Sequence, residues 1–242
     1  MREAGGGRAG RLSRGLVRKA ASLAPLAVLF GLGLLLISTS VVQQDDACPV
    51  PRGAAIVLDP GHGGEDPGAL NAGLVEAELT LAIARRTADL LRGNGLSVAL
   101  TRDDMESTLG NSERGRIANA CDASVFVSIH LNSFDDPSVN YVKTFWAIEE
   151  KDLAFAQVMQ SAQAAALQPG TNLSDGGMDV FESGALLTAG MPSALTESVF
   201  LSNPEEARRL ADPAGARLEQ IARAIASGIV MWLDIASIVR DL

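Results

Sequence analysis

The feature that most constrains the fold is a pair of apolar segments, each of which ends at a histidine. Residues 54–62 read Ala-Ala-Ile-Val-Leu-Asp-Pro-Gly-His, and residues 123–130 read Ala-Ser-Val-Phe-Val-Ser-Ile-His. Short apolar runs that stop at a polar or glycine-rich turn are typical of buried strands. His62 and His130 are the only two histidines of the chain. Because parallel strands end at a common edge of a sheet, we expect both imidazoles at that edge.

Helical and strand-like segments alternate along the rest of the chain. This alternation predicts an α/β fold with a single twisted, mostly parallel sheet flanked by helices. Apolar residues at helical spacing predict helices at residues 76–94, 112–120, 152–167 and 214–238, the second capped by Asn111 or Ser112. Further strands are predicted at residues 97–101, 141–147 and 193–198. The polar, glycine-rich residues 168–184 are predicted to form a loop that could act as a lid.

The N-terminal region differs in composition from the rest of the chain. Residues 1–22 contain six of the 20 basic side chains and one of the 29 acidic ones, so the remainder of the chain is strongly acidic. An acidic body argues against nucleic acid as a partner, because phosphates require a cluster of lysine and arginine. By the positive-inside rule, we expect the basic residues 1–22 to form a cytoplasmic terminus.

Residues 23–42 carry no charge and are rich in leucine. A helix of this length spans the ~30 Å hydrocarbon layer of a membrane. The preceding arginines place the N-terminus inside the cell and the rest of the chain outside, in the periplasm or on the outer face of the membrane. The segment is predicted to be a retained transmembrane anchor; a cleaved signal peptide, which would leave the protein secreted, is the alternative. A linker at residues 43–53 and a catalytic domain at residues 54–242 follow.

The two cysteines are Cys48, in the linker, and Cys121, before the second histidine strand. A disulfide is chemically permitted outside the cell. The sequence does not indicate one, and Cys121 is expected to be a small core residue.

The polar residues at the strand ends suggest a metal site. His62, His130 and Glu197 each lie in or just after the end of a predicted strand. A catalytic zinc ion usually takes three protein ligands, and two histidines with one glutamate is a known set. Glu76 opens the first predicted helix, after a connection containing Gly61, Gly63, Gly64, Gly68 and Gly73 that would let it fold back to the same edge. The alternative for Glu76, given equal weight, is that it is not a ligand and merely complements the helix dipole.

Four segments, in order, resemble the zinc-dependent N-acetylmuramoyl-L-alanine amidases of the Amidase_3 type, which cut the bond joining glycan to stem peptide in peptidoglycan. They are residues 58–64 (Leu-Asp-Pro-Gly-His-Gly-Gly), Glu76 with residues 79–84, residues 128–132 (Ser-Ile-His-Leu-Asn), and residues 192–203. Residues 100–102, Arg114 and residues 117–119 also fit the pattern. The resemblance covers about residues 54–235.

The resemblance implies one zinc ion held by His62, Glu76 and His130. It also implies that Glu197 is the catalytic acid and base, which takes a proton from the attacking water and returns it to the departing alanine amine. Asn132, two residues past a ligand on a strand, faces the same way as His130 and is a candidate substrate-binding residue. A turn-forming asparagine is the alternative for this position.

Three departures from the family pattern bear on the substrate. Ala77 follows Glu76 where the family usually has lysine, Asn140 and Tyr141 stand where a glycine is common, and residues 174–190 lack the expected arginine pattern. Two other functions therefore stay open: a zinc hydrolase of the same fold acting on another wall amide or peptide, and an inactive wall-binding scaffold. Peptidoglycan and the membrane are the expected partners, and a protein activator is possible.

Overall fold

The computed structural model describes residues 48–49 and 56–240. The predicted basic terminus and membrane segment, at residues 1–22 and 23–42, lie outside them. The strands are β1 (Ile56–Pro60), β2 (Leu70–Asn71), β3 (Leu74–Val75), β4 (Val98–Leu100), β5 (Val125–Asn132), β6 (Tyr141–Trp146), β7 (Ser174–Val180) and β8 (Ser193–Phe200). The helices are α1 (Glu76–Gly93), α2 (Asn111–Ala120), α3 (Glu150–Leu167), α4 (Gly184–Thr188), α5 (Pro204–Leu210) and α6 (Ala216–Arg240).

The centre of the domain is a six-stranded sheet with the order β4-β1-β5-β8-β6-β7. All neighbouring strands are parallel except β6 and β8, which are antiparallel. Helices cover both faces, so the predicted α/β architecture with a mostly parallel sheet is confirmed. The register aligns His130 of β5 with Glu197 of β8, and it aligns Glu197 with Lys143 of β6.

Side chains alternate between the two faces of each strand, and two hydrophobic clusters result. The larger cluster packs Ile56, Val127 and Ala194 against α1, α3 and α6. The smaller cluster packs Val57, Phe126 and Leu195 against α2 and α4. The candidate site belongs to the smaller side, because His130 and Glu197 have the same strand parity as Phe126 and Leu195.

Helix α6 contains a stretch, Ala216–Ile238, whose length and composition alone would allow it to cross a membrane. The sequence predicted an apolar face here, and Ile221, Ile225 and Ile229 are fully buried. Trp232 continues that face, with its ring centroid 5.4 Å from that of Phe155 on α3. This packing explains the apolar residues of the N-terminal half of α6, whereas Met231, Ile235 and Ile238 toward its C-terminal end are exposed.

Two sequence expectations are wrong. Residues 168–184 are not one loop, because Ser174–Val180 form β7 at the edge of the sheet. Polar residues and glycines are tolerated in this edge strand because its side chains are largely exposed. Backbone hydrogen bonds to β6, rather than burial of apolar side chains, hold it in the sheet. Helix α2 begins at Asn111 with Gly110 as its N-cap, so neither Asn111 nor Ser112 caps it.

The third correction concerns the cysteines. Cys48 and Cys121 are joined by a disulfide, with their Cα atoms 4.7 Å apart. Cys121 is fully buried, as expected for a core residue, but its sulfur is bonded. The bond ties Cys48 to the C-terminal end of α2, where Cys121 is the C-cap. Sequence spacing could not predict it, because only the fold brings two positions 73 residues apart together.

Candidate metal and catalytic site

Three side chains converge at the carboxyl ends of β1 and β5. The distance from Nε2 of His62 to Oε1 of Glu76 is 3.0 Å, and Nδ1 of His130 lies 3.1 Å from each of those atoms. This spacing is close to the roughly 3.3 Å that separates neighbouring ligands in a tetrahedral zinc site. Two imidazoles and a carboxylate also form a donor set that zinc accepts. The residues therefore fit a zinc ion.

The glycine-rich connection brings Glu76 to this edge by folding back over the start of α1. The first backbone amides of the helix are satisfied by the connection itself, because Glu76 and Ala77 donate to the carbonyls of Ala69 and Pro67. The Glu76 carboxylate is held on both sides. Its Oε2 accepts from the Ala69 amide at 2.9 Å and its Oε1 from the Leu131 amide at 3.0 Å. Glu76 is thus fixed by both β5 and its own loop.

Asp66 fixes the orientation of His62. Its Oδ2 lies 2.7 Å from Nδ1 of His62, which turns Nε2 toward Glu76 and His130. Burial alone would lower the pKa of His62, but the hydrogen bonds and charges of Glu76 and Asp66 outweigh it and raise that pKa. A carboxylate behind a ligating imidazole sets its tautomer and increases its basicity. Sequence reasoning missed Asp66, although an acid four residues after His62 in a tight turn was a usable signal.

Glu197 lies beside His130 on the neighbouring strand. Its side chain lines the cleft, yet its Oε2 is enclosed and has no hydrogen-bond partner among the described residues. Burial, followed by the charge of Glu76, raises the pKa of Glu197 well above its ordinary value. A carboxyl group with a raised pKa and no structural partner is suited to exchanging protons with a reacting molecule.

Asp59, at the end of β1, anchors the turn that carries His62. This buried carboxylate accepts hydrogen bonds from Arg114 at 2.8 Å, from Ser128 at 2.6 Å, and from Thr101. Arg114 also donates to the carbonyls of Pro60 and His62. Asp59 therefore connects β1 to α2, β5 and the end of β4.

Arg102 anchors the same turn from its other side. Its guanidinium donates to the carbonyls of Pro60, Gly61 and Ala77, so it joins the His62 turn to the first residues of α1. Thr80 reinforces this link by donating to the Gly61 carbonyl at 2.8 Å. Backbone that would otherwise be free to move is thus held by side chains from two other elements. The family pattern included Arg102 and Arg114, but the sequence did not assign them a role.

A cleft of about 380 Å³ opens over these groups. It contains the three candidate ligands and Glu197, and α2 and the segment before α4 form its far wall. Asn132 lies on its rim, where its Oδ1 accepts from the backbone amide of Ser133 at 2.8 Å. The structure thus brings together all five residues selected from the sequence.

Comparison with known proteins gives the same result over most of the chain. Residues 56–231 match the profile of the Amidase_3 family, described as N-acetylmuramoyl-L-alanine amidase. N-acetylmuramoyl-L-alanine amidase AmiC of Neisseria meningitidis serogroup B is 32% identical over an alignment of 233 residues, covering 78% of this chain and 55% of AmiC. N-acetylmuramoyl-L-alanine amidase LytC of Bacillus subtilis is 34% identical over 201 residues, covering 81% of this chain and 38% of LytC. This chain therefore spans about half or less of the length of these two relatives.

The fold comparison agrees. The CwlD amidase of Clostridioides difficile, solved in complex with the GerS lipoprotein, superposes with a TM-score of 0.68 at 30% identity. The match covers 76% of this chain and 100% of CwlD. From its sequence, its sheet and its cleft, the chain belongs to the N-acetylmuramoyl-L-alanine amidase family.

Proposed function

We propose that this protein is an exported cell-wall hydrolase that cleaves the amide bond between N-acetylmuramic acid and L-alanine of peptidoglycan with one zinc ion. The observation that carries the proposal is the convergence of His62, Glu76 and His130 beside the unpartnered carboxyl of Glu197. Family membership supports the substrate class.

The three ligands have distinct supports. His62 is oriented by Asp66, Glu76 by two backbone amides, and His130 by its place at the end of β5. A zinc ion held by them would supply a Lewis acid that activates water and polarises the scissile carbonyl. Preorganised ligands avoid a rearrangement when the substrate binds.

Glu197 is the residue that would move the proton. Its raised pKa matches a group that accepts a proton from the attacking water and then delivers it to the departing alanine amine. The lone oxygen Oε2 is the atom available for this exchange. Asn132 would bind substrate through its side-chain amide nitrogen, because its Oδ1 is occupied by Ser133.

The place of action follows from separate observations. A disulfide between Cys48 and Cys121 suits an oxidising compartment outside the cytoplasm. Residues 23–42 would anchor the domain to the outer face of the membrane, or release it if cleaved. A protein partner is also reasonable, because the related CwlD was solved bound to the GerS lipoprotein.

The test is digestion of purified peptidoglycan by the full-length protein in detergent, with and without a chelator. We expect stem peptides with a free L-alanine amine, loss of release on chelation and recovery with Zn²⁺. Glu197→Gln should retain the metal and lose at least about a hundredfold in rate, whereas His130→Ala should lower the metal content. Zinc loss from Glu197→Gln would mean that this residue is a ligand rather than the base.

Two results would favour the other functions. Products cut at a different amide would indicate a zinc hydrolase of the same fold with another specificity. Binding to the wall without any release by zinc-loaded protein would indicate a scaffold.

A further inference from the structure

Strand β6 lies beside the cleft, next to β8 in the sheet. Lys143 of β6 is the register partner of Glu197, and side chains of paired residues point to the same face. On the opposite face α3 covers β6, where Thr144 donates to Gln160 at 2.8 Å. On the cleft side Tyr141, Lys143 and Phe145 all remain partly exposed.

This surface is connected to the cleft through aromatic rings. The ammonium of Lys143 lies 5.6 Å from the ring centroid of Tyr141 and 5.8 Å from that of Phe145. The Phe145 ring lies 5.6 Å from the ring of Phe181, which lines the cleft. We call the surface formed by Tyr141, Lys143, Phe145 and Phe181 the β6 flank.

Charge distinguishes the β6 flank from the cleft. The cleft presents the carboxylates of Asp66 and Glu76 and the carboxyl group of Glu197, and the charge of Arg114 in its lining is neutralised by Asp59 at 2.8 Å. Lys143 is held only loosely, because its nearest carboxylate, on Asp179, is 3.5 Å away and 65% exposed. The Lys143 side chain is itself only 20% exposed, but its contact with the exposed Asp179 is long, so an incoming carboxylate could replace Asp179 at small cost.

The order of the strands indicates which part of the substrate reaches Lys143. The candidate metal ligands lie on the β1 and β5 side of Glu197, and Lys143 lies on the other side, one strand further on. The departing amine must be near Glu197 to receive its proton. The peptide attached to that amine then extends over β6, where residues paired across strands lie about 5 Å apart. One or two residues of an extended peptide cover that distance at about 3.3 Å each.

We propose that Lys143 is a specificity-determining residue that binds a carboxylate of the stem peptide, at the first or second residue beyond the cleaved L-alanine bond. The proposal rests on the proposed amidase function. Tyr141 and Phe145 flank the ammonium and keep it directed at the substrate, while Asp179 competes with the substrate carboxylate for it.

The experiment compares two soluble muramoyl peptides that differ only in whether the second stem residue carries a free carboxylate or an amide. Lys143→Met removes the charge and keeps the length of the side chain. We expect it to raise KM for the carboxylate substrate by roughly five- to tenfold, with kcat unchanged. KM for the amidated substrate should stay the same. Asp179→Asn, which frees Lys143, should lower KM for the carboxylate substrate only.

The matched control is Arg223→Met on α6, which removes one positive charge from an exposed pair with Glu219 on the opposite side of the sheet. It should alter neither KM. Zinc content and thermal melting are measured for every variant. Equal KM changes for both substrates, or no change in Lys143→Met, would overturn the proposal while leaving the amidase function standing. If wild type cleaves neither substrate at the L-alanine bond, the proposed function fails and the role of Lys143 fails with it.

Discussion

At the residue scale, the candidate ligands depend on side chains that do not reach the metal position themselves. Asp66 holds one nitrogen of His62, and Asp59 holds the strand end from which the His62 turn departs. The first interaction sets the direction of a ligand, and the second sets the position of its backbone. Each can be tested separately, because a change in metal affinity and a change in folding free energy are different measurements.

Replacing Asp66 with asparagine should weaken zinc binding by about 10- to 100-fold, because the amide no longer increases the basicity of His62. Zinc affinity is measured by competition with a chromophoric chelator. Asp212→Asn, at an acid on the loop before α6, is the control and should keep wild-type affinity. Unaltered affinity in Asp66→Asn would mean that Asp66 does not tune His62.

Asp59 predicts a pH dependence of stability. Burial would raise its pKa, but the charge of Arg114 and hydrogen bonds from Ser128, Thr101 and Arg114 hold the pKa below its ordinary value. A lowered folded-state pKa means that the stabilisation is fully present above the unfolded pKa of about 3.9, and is lost as the pH falls through the folded value.

The variant Asp59→Asn should therefore be less stable than wild type at pH 7, by about 3 to 5 kcal/mol, because Arg114 is left without its buried partner. The difference between the two proteins in urea unfolding should shrink below about pH 4. A difference that stays constant from pH 7 to pH 3 would show that the Asp59 charge does not contribute.

At the element scale, the connection between β1 and α1 determines whether Glu76 can reach the two histidines. Gly68 has φ +67°, and a Cβ atom there would lie 2.6 Å from Cδ2 of His62 and 2.8 Å from Oε2 of Glu76. Gly73 has φ +80° in the turn between β2 and β3, with no atom within 4 Å of such a Cβ. The two glycines have similar backbone conformations but different surroundings.

Gly68→Ala should consequently reduce zinc affinity by roughly tenfold or more, since the added methyl group displaces two ligands. Gly73→Ala carries a comparable backbone cost, of about 1 to 2 kcal/mol, without that steric conflict. Isothermal titration with Zn²⁺ and urea unfolding separate these effects. The explanation fails if both variants bind zinc equally well.

Helices and strands whose apolar residues recur at regular spacing were predictable from the sequence. Elements that depend on tertiary contacts were not. Helix α1 begins at Glu76 as predicted, because its buried positions repeat at helical spacing. Strand β7 escaped prediction, because it is an edge strand whose polar residues carry no apolar alternation. Helix α5 has a clear local signal in Asn203 followed by Pro204, where the asparagine accepts from two backbone amides, but it was not identified.

At the scale of the whole molecule, the disulfide joins Cys48 to Cys121 at the C-terminal end of α2. It closes a loop between residues 73 positions apart. A cross-link over a loop of this length restricts the unfolded chain and stabilises the fold by about 4 kcal/mol.

Reduction with dithiothreitol should lower the free energy of unfolding by about that amount. The double variant Cys48→Ser, Cys121→Ser should show the same loss and no further response to reductant. The ligands and Glu197 lie at the opposite ends of the strands from Cys121, so zinc affinity at 25 °C should not change. Equal stability of oxidised and reduced protein would refute the stabilising role.

The sequence by itself determined the α/β class, the segments with a strong apolar period, the family and the residues that converge at the site. Those properties depend on local periodicity and on residue types at fixed spacing, both of which are written in the chain. Only the tertiary structure decided the Cys48–Cys121 bond, the support of His62 by Asp66, and the position of Lys143 beside Glu197. These features depend on which distant segments become neighbours. Strand order and register determine those neighbours, and no local pattern in the sequence encodes either of them.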